Sequence, residues 1–159
     1  MDVTFLCVGN LKESYFRDGV KEYEKRLSRF AKINIIEVSE VQIPNNASVS
    51  DEYKIMDKEG QLILSKLPKD CYIFVLDRKG NFLSSEELAG KIEEIMTYGK
   101  SRIVFIIGGY LGLSDEIKRK AQCPLSFSKM TFPHQLMRLV LCEQVYRGFK
   151  IMNHETYHK

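Results

Sequence analysis

Short apolar runs recur along the chain at intervals that suit the strands of one sheet. Each run is four to seven residues long and rich in Val, Ile, Leu and Phe, and most are followed by turn-forming residues. They predict strands at residues 2–8, 33–38, 71–76, 102–107 and 124–127. Several of these runs are apolar without alternation, which is typical of strands that are buried on both faces.

Between the runs, the hydrophobic pattern changes to the period of a helix. Phe16, Val20, Tyr23, Leu27 and Phe30 share one face of a helix predicted over residues 13–30. Four further helices are predicted from the residues that begin them. Ser50 caps a helix to about residue 66, and the capping box Ser84-Ser85-Glu86-Glu87 begins a helix to about residue 98. Ser114 caps a short helix to residue 121, and Pro133 lies in the first turn of the last helix, which runs to about residue 152.

Strands that alternate with helices indicate an α/β fold with a mainly parallel sheet covered by helices on both faces. The length of 159 residues suits a single domain over residues 1–159. An apolar fraction of 44% and a charged fraction of 28% exclude disordered and low-complexity proteins. No run is long enough to cross a membrane, and the N-terminus lacks a signal-peptide core, so we expect a cytoplasmic protein.

The balance of 24 Lys and Arg against 21 Asp and Glu gives a net charge of +3. This value is compatible with RNA binding, but most proteins with this balance simply have an ordinary solvated surface of mixed charge. The four cysteines, Cys7, Cys71, Cys123 and Cys142, are spaced too widely for a zinc knuckle. We expect reduced, buried thiols and no metal site.

Candidate chemistry lies where two of the predicted strands end, because ligands of parallel sheets bind beyond the carboxyl ends of the strands. Asp77-Arg78-Lys79-Gly80 follows one strand, and Gly108-Gly109-Tyr110-Leu111-Gly112 follows another. The glycines match neither the dinucleotide fingerprint nor the P-loop. They fit a ligand-binding turn and a plain tight turn equally well.

A third candidate is the segment 127–134, which mixes apolar and hydroxyl residues before the last helix. No predicted strand pairing obviously supplies hydrogen bonds to its backbone N–H and carbonyl groups. The segment could therefore bind a partly apolar ligand such as a nucleoside, or it could be an ordinary loop. The last helix is apolar on nearly all sides. Such a helix needs cover on nearly all sides, which indicates either homodimerisation through this helix or deep burial within one chain.

All three histidines, His134, His154 and His158, lie in the last 26 residues. Glu143 and Arg147 are spaced as an i, i+4 pair, which is most often a weak surface salt bridge. The tail 153–159 would ordinarily fray, although its two histidines and its tyrosine could serve a site.

In this order along the chain, the motifs resemble one family over its whole length. The motifs are Leu76-Asp77-x-x-Gly80, Ile106-Ile107-Gly108-Gly109-x-x-Gly112-Leu113, the segment from Leu125 to His134, Glu143-Gln144-Val145-Tyr146-Arg147 and the terminal Tyr157-His158-Lys159. The chain is similar to the RlmH family, the SPOUT-class methyltransferases of bacterial large-subunit ribosomal RNA.

The resemblance implies a deep trefoil knot, with the cofactor site within about residues 71–159, and a homodimer that binds S-adenosylmethionine. The implied reaction is methylation of N3 of pseudouridine 1915 in helix 69 of 23S rRNA, on the assembled 70S ribosome. The resemblance also implies two sets of site residues. The cofactor residues are Leu76, Gly108, Gly109, Phe127, Ser128, Lys129, Met130, Thr131 and Phe132, and the active-site residues are His134, Arg147, Tyr157 and His158.

Methyl transfer to a ring nitrogen requires loss of the N3 proton, for which His158 is the first candidate base and His134 the second. Arg138, Arg147 and Lys159 are candidates for contacts with phosphates or with the negative charge of the deprotonated base. Two alternatives are another SPOUT enzyme, such as a transfer-RNA ribose 2′-O-methyltransferase, and a non-catalytic ribosome-associated RNA-binding module. The terminal Tyr157-His158-Lys159 argues against the first, and the intact glycines argue against the second.

Overall fold

The computed structural model describes all 159 residues, Met1–Lys159, and is built around one five-stranded sheet. The strands are β1 (Asp2–Val8), β2 (Lys32–Val38), β3 (Tyr72–Phe82), β4 (Arg102–Ile107) and β5 (Cys123–Ser126). The helices are α1 (Ser14–Leu27), α2 (Val49–Lys66), α3 (Ser85–Thr97), α4 (Asp115–Lys120) and α5 (His134–Met152). This alternation of five strands with five helices is the one that the apolar runs predict.

The sheet has the strand order β2-β1-β4-β3-β5, and every neighbouring pair is parallel. Phe5 of β1 lies opposite Ile35 on one side and Phe105 on the other. Parallel neighbours need long crossover connections, which the helices supply. Because all strands point the same way, their carboxyl ends form one edge of the molecule.

Helices cover both faces of the sheet, as predicted. On one face α1, α3 and α5 pack over a core in which the rings of Phe5, Phe105 and Phe74 stack across three neighbouring strands, with centroids 5.7 and 4.7 Å apart. On the other face Ile63 of α2 and Ile117 of α4 are fully buried against β1 and β4. Burying a side chain of this kind contributes roughly 1.5–3 kcal/mol.

The predicted N-terminal cap of α3 is confirmed, and that of α2 is wrong. Ser84 and Glu87 form the predicted capping box, in which each side chain accepts a hydrogen bond from the other residue's backbone N–H. The prediction that Ser50 caps α2 is wrong. Ser48 is the cap, because its hydroxyl accepts from the Asp51 N–H while the Asp51 carboxylate accepts from the Ser48 N–H.

The end of β3 differs from the prediction. Residues 77–80 leave the ladder at the predicted turn, but the strand then resumes, with Leu76 and Asn81 both opposite Leu125 of β5. Gly80 permits this return, because a Cβ there would lie 2.7 Å from the carbonyl carbon of Pro124. The predicted position of the turn is therefore confirmed, but the continuation of β3 after the turn was not predicted.

The two halves of α5 differ in how far the chain covers them. Its C-terminal half is deeply buried, with Leu141, Val145 and Phe149 in the core. In its N-terminal half, Leu136 and Val140 stay partly exposed and belong to neither core cluster. Pro133 is the residue before the first helical turn, one position earlier than predicted.

The four cysteines are free thiols, and three of them, Cys7, Cys123 and Cys142, are buried. Burial raises the pKa of the Cys7 thiol to about 11, and it raises that of Cys142 as well. Both thiols are therefore protonated at neutral pH and act as small apolar groups.

Candidate active site

A cavity of about 360 Å³ opens at the carboxyl ends of β3, β4 and β5. This position and volume are typical of small-molecule sites in parallel sheets. Eight of the nine candidate cofactor residues line the cavity: Leu76, Gly108, Gly109, Phe127, Ser128, Met130, Thr131 and Phe132. Lys129 is exposed and does not line the cavity. Three separate segments of the chain therefore contribute to one cavity.

The glycines after β4 form a tight turn that is also a wall of this cavity. The N–H of Gly112 donates to the carbonyl of Gly109 at 3.0 Å, and Gly112 has a φ of +89°, which side chains rarely adopt. A Cβ on Gly108 would lie 2.9 Å from the carbonyl carbon of Gly112. Glycine is therefore required by the turn itself, and the result is a wall made of backbone.

The segment 127–132 forms the opposite wall and has an unusual number of free backbone groups. None of its residues takes part in a backbone–backbone hydrogen bond. Two serine bonds shape it: Ser126 Oγ donates to the Ser128 carbonyl at 3.0 Å, and the Met130 N–H donates to Ser128 Oγ at 3.0 Å. Backbone groups are nearly always paired in folded proteins, so the remaining N–H and carbonyl groups of this segment are available to a ligand.

The rim of the cavity carries charged side chains that the sequence interpretation did not assign. Asp77 lies 3.5 Å from the Lys118 ammonium, and the Arg78 guanidinium donates to Thr131 Oγ1 at 2.7 Å. Asp77 and Arg78 belong to the segment after Leu76 that the strand-end rule marked for candidate chemistry, although no role was assigned to either residue. Lys118 comes from α4, and no local signal points to it.

His134 is the first residue of α5 and borders the cavity. Burial lowers the pKa of its imidazole, and the positive charge of Arg138 lowers it further. The carboxylate of Glu40 opposes this shift, and the positive charge of Lys12 adds a smaller lowering effect. The neutral form therefore dominates at neutral pH, because the ordinary value is already about 6.5. A neutral imidazole at this position can accept a proton from a ligand in the cavity.

Arg138, predicted to contact RNA, is buried inside the fold. Its side chain is only 2% exposed; one terminal nitrogen donates to the carbonyl of Gly9 at 2.6 Å, and the other lies 3.2 Å from the Glu37 carboxylate. The prediction of a phosphate contact is therefore wrong, because the guanidinium already joins α5 to the ends of β1 and β2. Lys159, the other candidate, is exposed.

A second cluster of candidate residues lies at the far end of α5. Oε1 of Glu143 accepts from Arg147 Nε at 3.0 Å and Nη2 at 2.5 Å, and it also accepts from the Tyr157 hydroxyl at 3.1 Å. The Arg147 guanidinium lies over the Tyr157 ring, 4.7 Å from its centroid. Burial and hydrogen bonds to Tyr23 and Glu143 raise the pKa of Tyr157, so the phenol stays protonated.

His158 completes this tail cluster. Its Nδ1 lies 3.3 Å from Arg147 Nη1, and its Nε2 lies 2.7 Å from Oε1 of Glu86. Arginine can only donate and a carboxylate can only accept, so the contacts select the neutral tautomer with its proton on Nε2. The tail is therefore held in place by specific contacts, contrary to the frayed end that its position suggests.

The two sets of active-site candidates are far apart within one copy of the chain. His134 and Arg147 lie on the same helix and are separated along its axis by roughly 20 Å, at 1.5 Å per residue. The structure joins His134 to the cofactor cavity, and it joins Arg147, Tyr157 and His158 to each other. It does not join the two sets.

No three His, Cys, Asp or Glu side chains converge in an arrangement that could hold a metal ion. None of the helices combines the length and the apolar character that a membrane crossing needs.

The chain matches the family described as "Predicted SPOUT methyltransferase" over residues 1–158. Several curated relatives align with it over 159 residues, which is 100% of both chains, and each is named ribosomal RNA large subunit methyltransferase H. The protein from Shouchella clausii is 53% identical, that from Bacillus pumilus 52%, and that from an Exiguobacterium strain 49%.

One solved structure, that of a probable methylase family protein from Haemophilus influenzae Rd KW20, has the same fold. It superposes with a TM-score of 0.52 and 12% identity, covering 99% of this chain and 70% of the other. An identity this low supports the fold alone.

Proposed function

Because the chain belongs to the SPOUT methyltransferase family, and within it to the ribosomal RNA large subunit methyltransferase H family, we propose that it methylates N3 of pseudouridine 1915. The target nucleotide lies in helix 69 of 23S rRNA, on the assembled 70S ribosome in the cytoplasm. The proposed methyl donor is S-adenosylmethionine.

One observation carries the cofactor assignment. Eight residues from three segments line a single cavity, and the backbone groups of one wall make no bonds to the rest of the backbone. A neutral wall of this kind suits an adenosine, because backbone N–H and carbonyl groups can pair with the edge of the ring. Where the Gly108 backbone approaches Gly112, a Cβ would be too close, so only a glycine leaves this wall intact.

When bound, S-adenosylmethionine supplies an electrophilic methyl group. The chain's own contribution is to hold the acceptor in line and to remove the N3 proton. Of the two candidate bases, His134 lies at the cavity, and its lowered pKa keeps it neutral and able to accept that proton. His158, Tyr157 and Arg147 contribute from the tail cluster, where Arg147 can offset negative charge on the acceptor ring.

We infer that the tail cluster acts on the cavity of a second copy of the chain. Leu136 and Val140 form a partly exposed apolar stripe on α5 between the cavity and Arg147. In a two-fold pair whose helices run in opposite directions past Val140, position 134 of one copy lies opposite position 147 of the other. A homodimer of this kind would unite the two sets of active-site residues.

Labelled S-adenosylmethionine and 70S ribosomes that lack the modification test the reaction directly. We expect label at N3 of the helix-69 pseudouridine, and little label on protein-free 23S rRNA, because the ribosome contributes to shape recognition. Label on a transfer-RNA ribose would favour the other SPOUT activity. Cofactor binding without any label would favour a binding module.

A mixing experiment tests the composite site separately. A Gly108→Val variant loses its own cavity, and a Tyr157→Ala variant loses its own tail. If the tail acts on the second copy, heterodimers of the two inactive variants regain one complete site and recover up to about half of the wild-type activity. If the tail acts on its own copy, the mixture stays inactive.

A further inference from the structure

A second cavity of about 410 Å³ adjoins the first at the ends of β1 and β2. The two cavities share Tyr110, Leu111 and His134 as lining residues. A methyl transfer brings together two ligands, and the first cavity has a volume suited to one of them. The second cavity is therefore the space where an acceptor could lie beside the first ligand, with His134 at the junction.

The buried wall of this second cavity is formed by Glu59 of α2. Glu59 is 5% exposed, and its Oε2 accepts from the backbone N–H of Val41 at 2.9 Å. Its Oε1 accepts no hydrogen bond from the protein and has no ion-pair partner, although the residue lines the cavity. Oε1 therefore offers a free acceptor position, and because a hydrogen bond to a charged group is stronger than one between neutral groups, the geometry suits a ligand that brings a donor.

The surroundings of Glu59 support this view of a built subsite. Gly109 lies directly behind the carboxylate, since a Cβ on that glycine would lie 3.2 Å from Oε1. Burial raises the pKa of Glu59, and the nearby carboxylate of Glu40 raises it further, while the Val41 N–H lowers it. Lys12 also lines the cavity but forms no ion pair with Glu59. The open acceptor atom is therefore Oε1, facing into the cavity.

We propose that the second cavity receives the acceptor base and that Oε1 of Glu59 accepts the N1–H of pseudouridine, thereby selecting pseudouridine over uridine. This inference rests on the proposed function. Pseudouridine is attached to its ribose through C5, so its N1–H occupies the ring edge where uridine carries a C5–H. Both bases present the same N3–H and carbonyl groups, and the N1–H is the donor that uridine lacks.

The carboxylate discriminates because uridine would bury Oε1 against a carbon. A site built around a hydrogen bond rejects an analogue that lacks the donor far more strongly than a shape-based site does. Loss of one such bond to a charged group corresponds to roughly a 10- to 100-fold change. Exposed Tyr110 stands at the shared edge of the two cavities, where its ring can stack on the same base.

The first test compares the wild-type chain on two kinds of ribosome, one with pseudouridine and one with uridine at the target. We expect kcat/KM to be about 100-fold higher for pseudouridine. Equal rates on both ribosomes would overturn the inference and leave the proposed reaction intact. If neither ribosome is labelled, the proposed function fails, and the assignment of Glu59 fails with it.

The second test uses Glu59→Gln, which keeps the shape but has a single carbonyl oxygen. That oxygen is needed by the Val41 N–H, so the amide NH₂ faces the N1–H of the base. We expect kcat/KM on pseudouridine to fall about 100-fold, with little change on uridine and cofactor affinity within two-fold of wild type. The pseudouridine-to-uridine ratio therefore falls to near one.

Asp57→Asn, an exposed change two residues away on the same helix, is the matched control and leaves the ratio unchanged. Glu59→Asp replaces the glutamine variant if that variant does not fold. The aspartate keeps the negative charge but moves it away from the cavity by about 1.5 Å. We expect a pseudouridine-to-uridine ratio of kcat/KM between that of the wild type and one. An equal loss on both ribosomes would show that Glu59 only holds Val41, and it would overturn the inference.

Discussion

The hydroxyl of Tyr157 donates a hydrogen bond of 3.1 Å to Oε1 of Glu143, and this bond ties the tail of the chain to the middle of α5. The same carboxylate oxygen receives two donors from Arg147. One negative charge therefore organises a cation, a phenol and, through Arg147, the imidazole of His158.

Replacing Glu143 by Gln removes the charge that holds this cluster together. We expect the rate of RNA labelling in a single turnover to fall about 10- to 100-fold, the effect of losing hydrogen bonds to a charged group, while cofactor affinity stays unchanged. Hydrogen exchange of residues 153–159 should become faster. Glu93→Gln on the exposed side of α3 is the control. A normal labelling rate with a loosened tail would separate the cluster from catalysis.

The buried position of His134 predicts how stability depends on pH. Its folded pKa lies below the unfolded value of about 6.5, so the unfolded chain binds more protons as the pH falls below that value. The free energy of unfolding should therefore decrease as the pH falls from about 6.5 toward the lowered pKa. His134→Gln should flatten this part of the curve in urea titrations at a series of pH values. Above about pH 7.5 both proteins should show a constant difference, and a parallel slope throughout would contradict the assignment.

Gly80 offers a test of the close approach between β3 and β5. A Cβ there would lie 2.7 Å from backbone of Pro124 and 2.9 Å from the Asp77 carbonyl, so Gly80→Ala should lower the free energy of unfolding by about 1–3 kcal/mol. Gly90 of α3 has no atom within 4 Å of its Cβ position. Gly90→Ala should therefore raise stability by about 0.5–1 kcal/mol. Similar effects at both positions would argue against a steric cause.

Tyr110 is 84% exposed at the edge shared by the two cavities. If its ring stacks on the acceptor base, Tyr110→Ala should raise the KM for ribosomes roughly 5- to 100-fold. The free energy of unfolding should change by less than about 0.5 kcal/mol. Tyr98 is 82% exposed and lines neither cavity, so Tyr98→Ala is the matched control. Equal KM values for both variants would exclude stacking by Tyr110.

Val140 tests the proposed pairing of two copies. Val140→Arg places a charge in the apolar stripe of α5, and we expect it to give a monomer in sedimentation experiments and to abolish labelling. Val49→Arg, at a position that is 70% exposed on α2, should leave both the mass and the activity unchanged. A wild-type chain that sediments as a monomer would contradict the pairing directly.

Local patterns predict the parts of the fold whose causes are local. Strands β1 and β4 have the predicted bounds, because their residues form continuous apolar runs closed by glycine. The capping box at Ser84 is likewise contained in four residues. By contrast, β3 continues past its turn only because Phe82 meets β5, which is a contact between distant parts of the chain.

The same distinction between local causes and contacts with distant residues applies to the candidate site. The cofactor residues were assigned by family resemblance, and the structure places eight of them around one cavity. Arg138 was misassigned because its partner Glu37 lies on β2, and a helical pattern does not show which charge is buried. Glu59 carries no sequence signal at all, since its setting depends on Val41 and Gly109. The trefoil knot within residues 71–159 stays a prediction.

The close approach of Gly109 and Glu59 makes the two positions genetically interdependent. The glycine backbone lines the first cavity, and its missing side chain leaves room for the carboxylate of Glu59, which lines the second. The Cβ of an alanine at 109 would lie 3.1 Å from Val8 Cγ1 and 3.2 Å from Glu59 Oε1, and a shorter aspartate at 59 would relieve the second of these contacts. The harm done by alanine at 109 should therefore be smaller beside aspartate than beside glutamate at 59, although the contact with Val8 remains.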